Sequence, residues 1–152
     1  MAESLVWKGK ALTETMREAQ KLGVNATMSE CVIHAKSNHS WQNRTGVLEG
    51  SLGVAEFARE VPGGVEGSWG SQDVRYALIH ELGGVIVPIR AKALAIPQEG
   101  GGVRFVKSVT IPARPYLRPA ADVTYPALGS NIGKAYRALG GGGGSSGGNS
   151  RA

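Results

Sequence analysis

Cys31 and His34 stand three residues apart, a spacing that puts both on one face of a helix, and His39 follows five residues later. Thiolate and imidazole are zinc donors, but a structural site wants four of them at characteristic spacing, so these read as ordinary core and surface residues. His80-Glu81 has the opening of the zinc-protease helix motif, yet the second histidine that motif requires falls on Gly84. Neither GxSxG nor a catalytic cysteine signature accompanies Cys31 or any serine. The glycine runs GGVIVPIR and EGGGVRF precede strand-like segments, and no Lys-Ser/Thr pair follows them as a phosphate loop demands. Trp7, Trp41, Trp69, Tyr76, Tyr116 and Tyr136 are scattered and lack the paired strand aromatics of an RNA-binding sheet. No catalytic, metal or cofactor residue is expected, and the chain reads as a non-enzyme.

With one cysteine in 152 residues no intramolecular disulfide forms, so packing alone must hold the chain. The N-terminal stretch lacks a basic region followed by an apolar run and a cleavage site, and nowhere do eighteen apolar residues follow one another. A soluble, cytosolically made protein is expected, with no membrane partner. The N-x-S/T triplets at Asn25, Asn38 and Asn43 then carry no weight as glycosylation sites.

The elements that position these residues follow from periodicity. Ala11, Leu12, Thr15, Met16, Ala19 and Leu22 recur at three- and four-residue steps, and Met28, Cys31, Val32 and Ala35 resume that stripe beyond Gly23 and Asn25. Two helices or one bent helix are both compatible with this. The polar segment 37–46 reads as a loop anchored by Trp41. Residues 47–61 and 65–69 flank Pro62-Gly63-Gly64 as a hairpin, and 74–82 reads as a short helix ended by Gly83 in a left-handed cap. A second, longer hairpin has arms at 85–96 and 103–111 around a turn rich in glycine. Pro112, Pro115 and Pro119 make IPARPYLRPA an extended corner, 120–139 a helix with Pro126 in its first turn or breaking it, and 140–152 a flexible tail. The expected architecture is α+β: residues 1–139 form one domain, a small twisted antiparallel sheet with a long protruding hairpin, packed by N- and C-terminal helices.

Charge is divided unevenly. Up to Val85 there are 8 basic and 10 acidic residues, and beyond it 9 basic against 2 acidic. Arg90, Lys92, Arg104, Lys107, Arg114 and Arg118 alternate with apolar residues, as on strands with one wet face. A basic half of this kind can touch nucleic acid, an anionic surface or an acidic partner subunit, and its sign alone does not choose among them.

Four segments in order resemble the neck or tail-completion proteins of long-tailed bacteriophages: RTGVLEGSL at 44–52, YALIHELGG at 76–84, PIRAKALAIP at 88–97 and IPARPYLRPA at 111–120. The sequence departs from that family in Leu82, where Phe is usual, in lacking Pro-Val before the Thr-Gly, and in its glycine-rich tail. The resemblance implies a tail-terminator-like fold and a structural role in the virion. It implies a homo-oligomeric ring, with six copies favoured, joining connector to tail tube around a DNA channel without sequence-specific contact. A basic nucleic-acid-binding domain, or a protein at another tail position, is the alternative. The interface expected on this basis comprises Arg114, Pro115, Tyr116, Leu117 and Arg118 at the corner with Arg90, Lys92, Arg104 and Lys107 on the hairpin. For the corner, a docking surface and an internal clamp with Arg114 paired to a carboxylate such as Glu81 both remain open.

Overall fold

A computed structural model of the chain describes residues 5–40 and 46–141. The expected Trp41 anchor, Arg44 and Thr45 of the RTGVLEGSL segment, and 142–152 of the expected tail lie outside the described residues.

Helix α1 (Gly9–Ser37) runs unbroken for 29 residues, about 43 Å at 1.5 Å per residue. The two residues that look like breakers in the sequence are devices for close packing. Gly23 is buried, and a methyl group there would come within 2.8 Å of the Ile132 backbone, so its bare Cα is what lets the C-terminal helix lie against α1. Asn25 stays helical and turns its side chain outward, where Oδ1 accepts the Ala58 N–H at 2.7 Å. That strand residue lies in an irregular stretch of its ladder, between Glu56 and Arg59, where pairing shifts.

A short helix α2 (Val47–Ser51) enters strand β1 (Leu52–Val61), which pairs antiparallel with β2 (Gly64–Ser71). Residues 47–51, expected as the start of the hairpin, are thus helical. Helix α3 (Ala77–Leu82) follows and ends at Gly83, whose φ of +70° comes with a ψ of 179°, an extended exit toward the next strand in place of the left-handed cap expected. A Cβ there would meet the Ala113 nitrogen at 2.7 Å, so both conformation and space call for glycine.

The long hairpin forms in two pieces. Its base is β3 (Gly84–Ile86) with β6 (Val109–Ile111), and its tip is β4 (Leu94–Pro97) with β5 (Val103–Val106). Between them residues 87–93 of one arm face only 107–108 of the other, an imbalance that no continuous ladder can absorb, and Pro88 lacks the N–H a ladder would need. The described strands therefore make three separate two-stranded antiparallel ribbons, with no barrel, in place of the single sheet expected.

The C-terminal helix starts earlier than expected and is broken at Pro126, one of the two placements expected for that proline. Helix α4 (Leu117–Thr124) begins inside the proline-rich corner, with Pro119 in its first turn, and Tyr125–Ala127 tightens into a 3-10 turn around Pro126 before helix α5 (Leu128–Ala138). Pro126 cannot donate to the carbonyl four residues back and its ring crowds it, which separates α4 from α5. Gly140, with φ of +81°, ends the run.

α1 is the common support, packing against β1, β2, α4 and α5. One core cluster gathers Ala35, Leu48, Leu52, Tyr116 and Ala120, with Trp69, Val74, Ala77 and Leu117 around it. Between α1 and α5, Asn131 donates from Nδ2 to Thr27 Oγ1 at 3.0 Å and to Glu30 Oε2 at 3.3 Å, so the one polar side chain α5 buries there is partnered. Among the described residues no helix is long and apolar enough to cross a membrane.

Candidate assembly surface

The corner at 111–118 is fixed from α3. The Arg114 N–H donates to the His80 carbonyl at 2.8 Å. Glu81 then does what the sequence does not announce: its carboxylate accepts from three successive backbone amides, Tyr116 (2.7 Å), Leu117 (3.0 Å) and Arg118 (2.9 Å). A helix leaves its first four N–H groups without internal partners. In α4 three of these are held by Glu81, and the fourth position is Pro119, which has no N–H at all. A carboxylate at this end also meets the positive pole of the helix.

The internal clamp weighed from the sequence therefore exists and uses Glu81, but its partners are main-chain amides and not the Arg114 guanidinium. The Arg114 side chain is exposed. Arg118 is exposed as well, and its Nε lies 3.3 Å from Asp122 Oδ1 one turn along α4. Pro115 is exposed and Leu117 half-buried against the core.

Tyr116 corrects the expected interface. At 1% exposure it is a core residue whose hydroxyl donates to the Ala77 carbonyl at 3.3 Å, so it ties the corner inward and offers nothing to a partner. Burial, aided by the Glu81 charge, pushes its phenol above the usual tyrosine range. Burial likewise raises the Cys31 thiol, which lies beneath Thr124. Both groups bind their protons more tightly when folded, so their contribution is intact at neutral pH and is lost as alkali titrates the unfolded chain, from about pH 8.5 for the thiol and about pH 10 for the phenol. Tyr116→Phe should flatten the fall of the urea midpoint above pH 10 while leaving the earlier, thiol-linked part in place; an unchanged alkaline limb would contradict this.

Beyond the corner, the hairpin stands away from the body: β4 and β5 pack chiefly on each other, as do β3 and β6. Opposed residues in a ladder share a face. One face of the tip carries Leu94, Val106, Ile96 and Arg104, the other Ala95, Phe105, Pro97 and Val103. Both faces are thus largely apolar, and Phe105 is 71% exposed. In the irregular 87–93 segment Ile89 is 95% exposed and Val87 is exposed beside it. The tip turns through Gly100, Gly101 and Gly102, all at φ between +92° and +102°, which side chains rarely tolerate.

The basic residues are distributed differently from the alternating strand pattern expected. Arg90 and Lys92 lie in the irregular segment and Lys107 in the break between β5 and β6, leaving Arg104 as the strand residue among these four. All four are exposed and belong to the same protruding unit. The donors considered for a metal are not gathered at this surface: Cys31 is in the core, and His34 borders a separate groove with Ile33 and Val123.

Compared with known proteins, the chain matches no family model, no curated protein and no solved structure.

Proposed function

We propose that the chain is a structural ring subunit of a tailed-bacteriophage particle, placed at the head-tail junction and threaded by the genome. One observation supports the ring: a two-ribbon hairpin that leaves Val85, Val87, Ile89, Val103 and Phe105 each more than half exposed. An isolated two-stranded hairpin is marginal in water, and a protruding one with apolar residues on both faces gains its stability from a neighbour. The placement at the junction rests on the four resembling segments, two of which, 76–84 and 111–120, are joined by the Glu81 amide clamp. The other tail proteins and the connector are then its partners, and the Arg114 side chain, exposed while its backbone N–H holds the corner, is placed to meet one of them.

The purified chain is expected to associate by itself into a closed ring, six copies matching tail symmetry, that persists when salt rises from about 50 to 200 mM. A nucleic-acid-binding domain would instead stay monomeric and hold duplex DNA with an affinity falling steeply over the same range. Mass photometry across that series distinguishes the two, and monomer at every concentration overturns the ring. Immunolabelling of virions by electron microscopy tests the placement; label along the tube or absent from particles overturns the junction assignment.

A further inference from the structure

Building on the self-assembly reading, we infer that the hairpin of one copy plants Phe105 in a pocket between Trp69 and Tyr125 of the next. This pocket, of about 250 Å³, lies where β2, α1 and the turn before α5 meet, with Val24, Met28 and Leu128 as apolar lining and Glu66 among its residues. Its two aromatic walls are tied by a hydrogen bond from Trp69 Nε1 to the Tyr125 hydroxyl at 3.1 Å. Gly67 lets the end of the Met28 side chain lie against the β2 backbone in its wall, since a Cβ there would fall 2.6 Å from the Met28 Cε.

Three features select a second copy as the occupant. The first is size: a cavity of about 150 Å³ holds a benzene ring, so this one accommodates a phenyl group with its flanking atoms. The second is charge. The hairpin unit 84–111 carries Arg90, Lys92, Arg104 and Lys107 against Glu99, whereas the β1–β2 ribbon beside the pocket carries Glu56, Glu60 and Glu66 against Arg59. Arg104 projects from the opposite face of the tip to Phe105, so the attraction is between the basic hairpin and the acidic ribbon as whole units and not through one seated ion pair. The third is placement. Phe105 is on the hairpin and the pocket is on the body, two different patches of one surface, and a contact between unlike patches propagates head to tail and closes into a ring when its rotation allows.

Sedimentation velocity on the full chain tests this with two surface changes, Phe105→Ala on the hairpin and Glu66→Lys beside the pocket, both at exposed positions. Wild type is expected to self-assemble, while each variant alone weakens assembly by about 30-fold or more, as for removal of an interface anchor. The equimolar mixture retains one intact hairpin and one intact pocket, and so should form a pair of chains and nothing larger. If wild type assembles and either variant assembles equally well, the pocket contact is overturned while the ring reading survives. If both variants are impaired but their mixture forms no pair, the pocket contact is likewise overturned. Wild type that stays monomeric overturns both.

Discussion

Replacing Tyr116 with alanine is expected to remove about 3–5 kcal/mol of stability, the usual cost of deleting a fully buried aromatic ring. Against a total of about 5–15 kcal/mol for a natural domain, that is a large share. The size of the effect follows from position. Tyr116 is the largest side chain in the core cluster and the point where the corner enters it, so its loss leaves a void among Ala35, Leu48, Leu52 and Ala120 that their short or already committed side chains cannot fill. Tyr116→Phe keeps the ring and gives up the hydroxyl's long hydrogen bond of 3.3 Å to the Ala77 carbonyl together with its contact to Ser71, so its cost should stay at about 1–2 kcal/mol. Urea unfolding of the two variants separates ring from hydroxyl. Equal, small losses would show that the ring does not support the core.

Glu81→Ala should cost about 2–3 kcal/mol, because it leaves three amides at the start of α4 without their acceptor. Glutamine restores little, since half of its head group is itself a donor and would face donors. The informative comparison is Arg114→Ala, which removes an exposed side chain and should stay within about 0.5 kcal/mol of wild type. Were Arg114→Ala to cost as much as Glu81→Ala, the clamp would run through the guanidinium and not the main chain. Because Glu81 and the corner stand on either side of the hairpin's base, the same substitution should also loosen the angle at which the hairpin leaves the body. Assembly would then fall even in conditions where the chain remains folded.

What the sequence disclosed is governed by how local its cause is. The stripe from Ala11 to Ala35 reports a helix because every residue in it answers to the same 3.6-residue period. Gly83 and Gly140 mark ends because a positive φ is a local demand. The continuity of α1 through Gly23 and Asn25 was not legible, since what those residues do depends on Ile132 and Ala58, more than thirty positions away. Glu81 was singled out as the acid of an internal clamp, but nothing in its neighbourhood says that backbone amides 35 to 37 residues later are its partners. Tyr116 looked like a contact residue because prolines and arginines surround it, and its burial is a tertiary fact. The split of the long hairpin was visible only in the unequal length of its arms. The Trp69 and Tyr125 pocket joins residues 56 apart, each unremarkable in its own segment.

The central place of α1 also sets a schedule for the chain as it is made. The helix leaves the ribosome ahead of the elements that pack on it, and the surface it offers to α5 has no cover until Ala138 has been added, about a hundred residues after Ser37. At about 5–20 residues per second that is a wait of roughly 5–20 s, far longer than the microseconds a helix needs to form. The β1–β2 ribbon can shield one side in the meantime, but the side around Gly23 and Thr27 stays open to chaperones, or to the same surface on a neighbouring nascent chain. The contact between α1 and α5 is thus the last of the α1 contacts that synthesis permits.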